Sequence, residues 1–68
     1  MTKLTLRAAS WSKAIRLERA LRAQASADGV RISVAHTGRT GNIITEVMCP
    51  DDWVPTAKFV IHEVRAGY

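Results

Sequence analysis

The sequence predicts an α+β domain in two layers, ordered β-α-β-β-β, with one helix packed on a four-stranded mixed sheet. Three observations carry this expectation. Leu4, Leu6 and Ala8 alternate with Lys3, Thr5 and Arg7, the period-two pattern of a half-buried strand. Ala14, Leu17, Leu21 and Ala25 recur at three- and four-residue steps, which draws one apolar stripe along a helix. After Gly29, three runs rich in Val and Ile follow, separated by segments dense in Gly, Asn, Asp and Pro.

The elements follow in order. Residues 3–8 form the first strand. Ser10 or Ser12 caps the helix by accepting a bond from its open N–H groups. The helix runs from about Trp11 to Ser26 and is filled with Ala, Leu, Arg, Lys, Glu and Gln, which lose little side-chain freedom there. Glu18 and Arg22 stand one turn apart and can pair. Asp28-Gly29 ends the helix, with Gly supplying the left-handed conformation. Val30, Ile32 and Val34 alternate with Arg31, Ser33 and Ala35 in a second strand. The turn-forming run His36 to Asn42 leads to a third strand, Ile43 to Cys49. Pro50 to Pro55 reads as a loop with room for one helical turn, and Ala57 to Arg65 as the fourth strand. A helix between strands one and two implies a right-handed parallel crossover.

The chain has 68 residues, room for one domain. Its single cysteine excludes an internal disulfide and fits a reducing compartment. Met1 to Arg7 alternates instead of forming the unbroken apolar stretch of a secretory leader. No run nears the roughly 20 apolar residues that span a bilayer. A cytoplasmic location without membrane contact is therefore expected.

Charge is distributed unevenly. Residues 1–41 hold eight basic groups against Glu18 and Asp28, whereas residues 42–68 hold Lys58 and Arg65 against four acids. Seven of the ten bases are Arg, the side chain suited to bidentate recognition of phosphate or carboxylate. Arg7 and Arg31 are expected on the uncovered sheet face, Arg39 in the turn, and Lys13, Arg16 and Arg19 on the outer helix. These six are the candidate contacts to an acidic partner. The same uncovered face should carry an apolar half, assigned to Ile44, Met48, Trp53, Val60 and Val64. An exposed apolar patch of that kind marks an interface, here between copies of the chain.

No motif points to catalysis. His36 and His62 lie on different elements with no nucleophile placed beside them. Cys49 precedes Asp51 and Asp52, which work against a reactive thiolate. Thr37-Gly38-Arg39-Thr40-Gly41 offers N–H groups and an Arg, yet joins two strands and lacks the Lys of a phosphate loop. Asp51 and Asp52 read as turn residues, so neither metal nor cofactor is expected. The Ala57–Ile61 run lacks the Gly-aromatic signature of RNA-recognition domains. The strand–helix–strands order and the length resemble those of dodecin-like flavin-storage proteins, in topology rather than in any motif. That resemblance implies a self-assembling carrier of a small ligand, with Trp11 or Trp53 stacking on it.

The expected function is thus non-enzymatic. The chain reads as a small module that engages an acidic macromolecule, either nucleic acid or a complex that handles it, through an Arg-rich surface. The alternatives are a protein-binding inhibitor or accessory subunit of mobile-element type, and the small-ligand carrier.

Overall fold

The computed structural model describes residues 1–66 and contains three strands and two helices: β1 (Thr2–Ala8), α1 (Trp11–Asp28), β2 (Ser33–Arg39), β3 (Asn42–Cys49) and α2 (Val54–Ala66). A 3₁₀ turn, Asp51–Trp53, leads into α2. The α+β class stands, whereas the strand and helix counts differ from expectation.

Helix α1 forms as its sequence dictates. The Ser10 hydroxyl accepts from the Lys13 N–H at 3.3 Å and caps the first turn. Ala14, Leu17, Leu21 and Ala25 are the buried stripe. At the other end Gly29 has φ 67°, its N–H donates to the Ser26 carbonyl, and the Val30 N–H donates to Ala25 at 2.8 Å. That pair of bonds is a Schellman stop, which satisfies carbonyls the helix would otherwise leave open.

The fourth expected strand is instead helix α2. Ala57 to Arg65 is rich in Val, Ile and Phe, a composition that suits a strand. The inward positions, however, are Ala57 and Ile61, with Val60 and Val64 packed alongside. That spacing is helical. Pro55 stands in the first turn of α2, where its missing N–H costs nothing and its fixed φ suits the helix.

The sheet has the order β1-β3-β2 and every pairing is antiparallel, so it is not mixed. β1 and β2 run in the same direction but are not neighbours, because β3 lies between them. Helix α1 therefore bridges two strands separated by a third, a split β-α-β arrangement. The β2–β3 turn is the two-residue Thr40–Gly41, tighter than the sequence suggests, since Arg39 already pairs with Asn42.

Both helices cover one sheet face. The central strand β3 supplies Ile43, Thr45, Val47 and Cys49 to that side, all fully buried. They meet Leu17, Leu21 and Ala25 of α1, Ala57 and Ile61 of α2, and Trp53. Removing a side chain such as Leu21 from water is worth about 2 kcal/mol. No described element covers the opposite face. Three cross-strand rows lie on it: Lys3–Met48–Ser33, Thr5–Glu46–Ala35 and Arg7–Ile44–Thr37.

Candidate anion-binding surface

The topology gathers four structural ends at one pole of the molecule. β1 finishes there, α1 begins, the β2–β3 hairpin turns and α2 closes. The Gly41 N–H donates to the Ala9 carbonyl at 2.8 Å, tying the hairpin tip to the β1–α1 junction. Arg65 Nη2 donates to the Arg7 carbonyl at 3.0 Å, tying α2 to β1. Between them opens a cleft of about 300 Å³ lined by Arg7, Ala8, Ala9, Lys13, Leu17, Val64 and Arg65. Its floor is apolar, three of its seven lining residues are cationic, and none is acidic. Arg39 sits at the same pole, on the hairpin.

Four of the six acids are engaged away from the cleft, whereas Glu63 stands near the end of α2, two residues before Arg65 and outside the cleft lining. Glu18 pairs with Arg22 at 2.7 Å and with His36 at 2.6 Å. Glu46 pairs with Lys3 at 3.3 Å on the open face. At the opposite pole the N-terminal ammonium lies 3.2 Å from Asp51, whose carboxylate also accepts from the Thr2 hydroxyl at 2.6 Å. Asp28 accepts from Trp53 Nε1 at 2.8 Å and from Gln24 at 3.0 Å. Among the described residues, no ion pair neutralises Arg7, Lys13, Arg39 or Arg65.

These contacts move carboxylate titrations in one direction. The Arg22 guanidinium, and then His36, hold the Glu18 carboxyl below its ordinary value. The Thr2 hydroxyl and the N-terminus do the same for Asp51. Burial pushes the Cys49 thiol up, and Asp51 adds to the rise. A raised thiol pKa and full burial make Cys49 a poor nucleophile.

The sequence-expected contacts do not form one continuous patch. Arg7, Lys13 and Arg39 lie at the cationic pole. Arg16 and Arg19 are exposed along the outside of α1. Arg31 lies towards the other pole, in a shallow groove with Arg22, Ala25 and Ile32. The apolar candidates are split more sharply. Ile44 and Met48 do face outward on the open sheet, Met48 with 39% of its surface exposed. Trp53 is only 4% exposed and belongs to the core, while Val60 and Val64 are on α2 and pack inward. Those three cannot contribute to the open face, because the segment carrying them lies on the covered side.

Two features were not readable beforehand. Arg65 joins the cationic pole only because its segment is a helix ending beside β1. His36 lies between Thr45 Oγ1 at 2.9 Å and Glu18 Oε1 at 2.6 Å, with Trp11 edge-on to its ring. Hydroxyl, imidazole and carboxylate in series have the arrangement of an activated nucleophile. Here Thr45 is completely buried, so the series satisfies a core hydroxyl and joins β3, β2 and α1. The hairpin, which the sequence favours as a plain turn over an anion nest, has its Gly41 N–H bonded to the Ala9 carbonyl. Among the described residues no three His, Cys, Asp or Glu side chains could hold a metal ion. No described helix is long and apolar enough to cross a membrane.

No protein-family model matches the chain, and no curated protein or solved structure is significantly similar to it.

Proposed function

We propose that the protein is a small binding module that engages nucleic acid through its phosphates, with the cationic pole as the principal contact. One observation carries the reading. Arg7, Lys13, Arg39 and Arg65 gather at one pole in no ion pair among the described residues, with Glu63 the acid nearest to them in the chain, while Asp28, Asp51 and Asp52 lie towards the other. A field polarised in this way steers the molecule towards an anion pole-first. Arg19 and Arg31 extend positive charge along the body and add contacts to a longer strand. No catalytic step belongs to this reading.

The test is the salt dependence of oligonucleotide binding. Log affinity should fall linearly with log salt, and deleting one phosphate-binding side chain should flatten the slope by about 0.9 on duplex DNA or about 0.7 on single strands. The Arg7→Ala/Arg39→Ala double variant should therefore lower the slope by nearly twice that amount. An unaltered slope in this variant would refute the cationic pole as the contact.

A second reading, an accessory or inhibitory subunit that docks a protein, has an observation of its own. Phe59 is 64% exposed on the outer side of α2, and Trp11 and Ile15 are exposed one turn apart on α1. A complex that survives nuclease treatment and is abolished by Phe59→Ser would favour it. Self-association through the open sheet is a weaker companion, because Ile44 and Met48 alone supply large apolar side chains there. The small-ligand carrier is weaker still, because one of its two stacking candidates, Trp53, is committed to the core.

A further inference from the structure

We propose that the cleft between the end of β1, the start of α1 and the end of α2 receives the terminal phosphate of a nucleic-acid strand. The proposal rests on the nucleic-acid reading above and makes it more specific. Lys13 and Arg65 stand at a cleft with no carboxylate in its lining, where Arg7 contributes its backbone carbonyl while its side chain belongs to the open-face row. An internal phosphodiester carries one negative charge, whereas a phosphate monoester carries about 1.5 to 2 at neutral pH. A cleft holding the Lys13 and Arg65 cations therefore discriminates in favour of the monoester.

The local geometry supports a built site. Arg65 spends one guanidinium donor on the Arg7 carbonyl, which holds it at the cleft and leaves its remaining donors for a ligand. A side chain already held loses less freedom on binding. The opening turn of α1 adds the positive end of the helix dipole, and no acidic residue in that turn offsets it. The floor of Ala8, Ala9, Leu17 and Val64 is apolar, suited to the sugar that follows the phosphate rather than to further charge. At about 300 Å³ the cleft lies at the small end of ligand sites, enough for one terminal nucleotide and not for a continuous strand.

The experiment compares one short single-stranded oligonucleotide carrying a 5′-phosphate, a 3′-phosphate or hydroxyls at both ends, by fluorescence anisotropy with the label placed internally. The intact protein should prefer one phosphorylated end over the hydroxyl form by about tenfold, one well-made charged contact. Lys13→Ala/Arg65→Ala should erase that preference. Lys58→Ala, which removes a cation two turns before Arg65 on α2 and outside the cleft lining, should leave the ratio unchanged. Arg65→Lys retains the charge without the fork and should keep only part of the preference. Circular dichroism checks that each variant is folded, and Arg65→Lys serves if the double variant is not. Equal binding of all three oligonucleotides would overturn the cleft assignment while leaving the nucleic-acid reading intact. Binding of none would overturn both. A preference that persists in Lys13→Ala/Arg65→Ala would place the terminal phosphate elsewhere and also overturn the assignment.

Discussion

His36 joins three elements, β2, β3 and α1, through its ring. Its ring meets a β3 hydroxyl, an α1 carboxylate and, at nearly a right angle, the ring of Trp11. Thr45 is fully buried and has His36 as its side-chain partner. His36→Ala strands that hydroxyl, and a buried polar group left unmet costs about 1–3 kcal/mol. In a domain of this size each kcal/mol moves the melting temperature by about 4–8 °C. Thr45→Val keeps the shape and removes the need, so it should cost less than His36→Ala. Thermal unfolding of both, and of the double variant, checks the order and exposes the coupling.

Glu18 adds a pH dependence whose sign is fixed. Its folded-state pKa lies below the ordinary 4.5, so its stabilising contribution is complete above that value. The contribution fades as pH falls from there through the lowered folded-state value. Glu18→Gln should therefore be less stable than the parent near neutrality, and the gap should close in strong acid. Denaturant unfolding at a series of pH values measures it. A gap that stays constant down to strong acid would contradict the pairing with Arg22 and His36.

At the level of elements, two of the three positive-φ glycines among the described residues, Gly29 at α1's end and Gly38 in β2, make different demands. Gly29 has φ 67° and nothing within 4 Å of where a Cβ would sit. Gly29→Ala meets backbone strain alone, about 1–2 kcal/mol. Gly38 has φ 107°, and a Cβ there would lie 2.3 Å from the Asn42 carbonyl oxygen. Gly38→Ala should be the more damaging change, because β2 and β3 must separate to admit it. Comparing the midpoints of urea unfolding for the two variants decides this.

The same elements show what the chain discloses by pattern alone. β1, α1 and β3 are legible because alternation, stripe and caps agree with one another in each. α2 is not, because its Val, Ile and Phe content argues for a strand while its spacing argues for a helix. Ala57, Ile61 and Val64 settle the matter, and Pro55 in the first turn agrees with them. The sheet order is hidden for a different reason. Nothing in a strand's own residues says that β3 will lie between β1 and β2.

Across the whole molecule, the excess of Arg in the first 41 residues is visible in the sequence, but its arrangement into a pole is not. Arg7, Lys13, Arg39 and Arg65 are spread over most of the chain and meet only through the fold. Arg31, near in sequence to Arg39, ends up towards the other pole. The uncovered sheet face follows from having two layers, whereas its largely polar character follows from α2. Once Val60 and Val64 leave the sheet, little besides Ile44 and Met48 remains there that is greasy.

The insertion of β3 between two earlier strands has a consequence for biosynthesis. A nascent chain leaving the ribosome can wind α1 as soon as Gly29 has emerged, but β1 has nothing to pair with until β3 is out of the tunnel. The β2–β3 hairpin needs only its own two strands and its two-residue turn, so it zips up first. The N-terminal segment then docks onto a template that was translated after it. Chains stalled before Cys49 clears the exit should accordingly leave residues 2–8 open to protease, and chains stalled well beyond it should not.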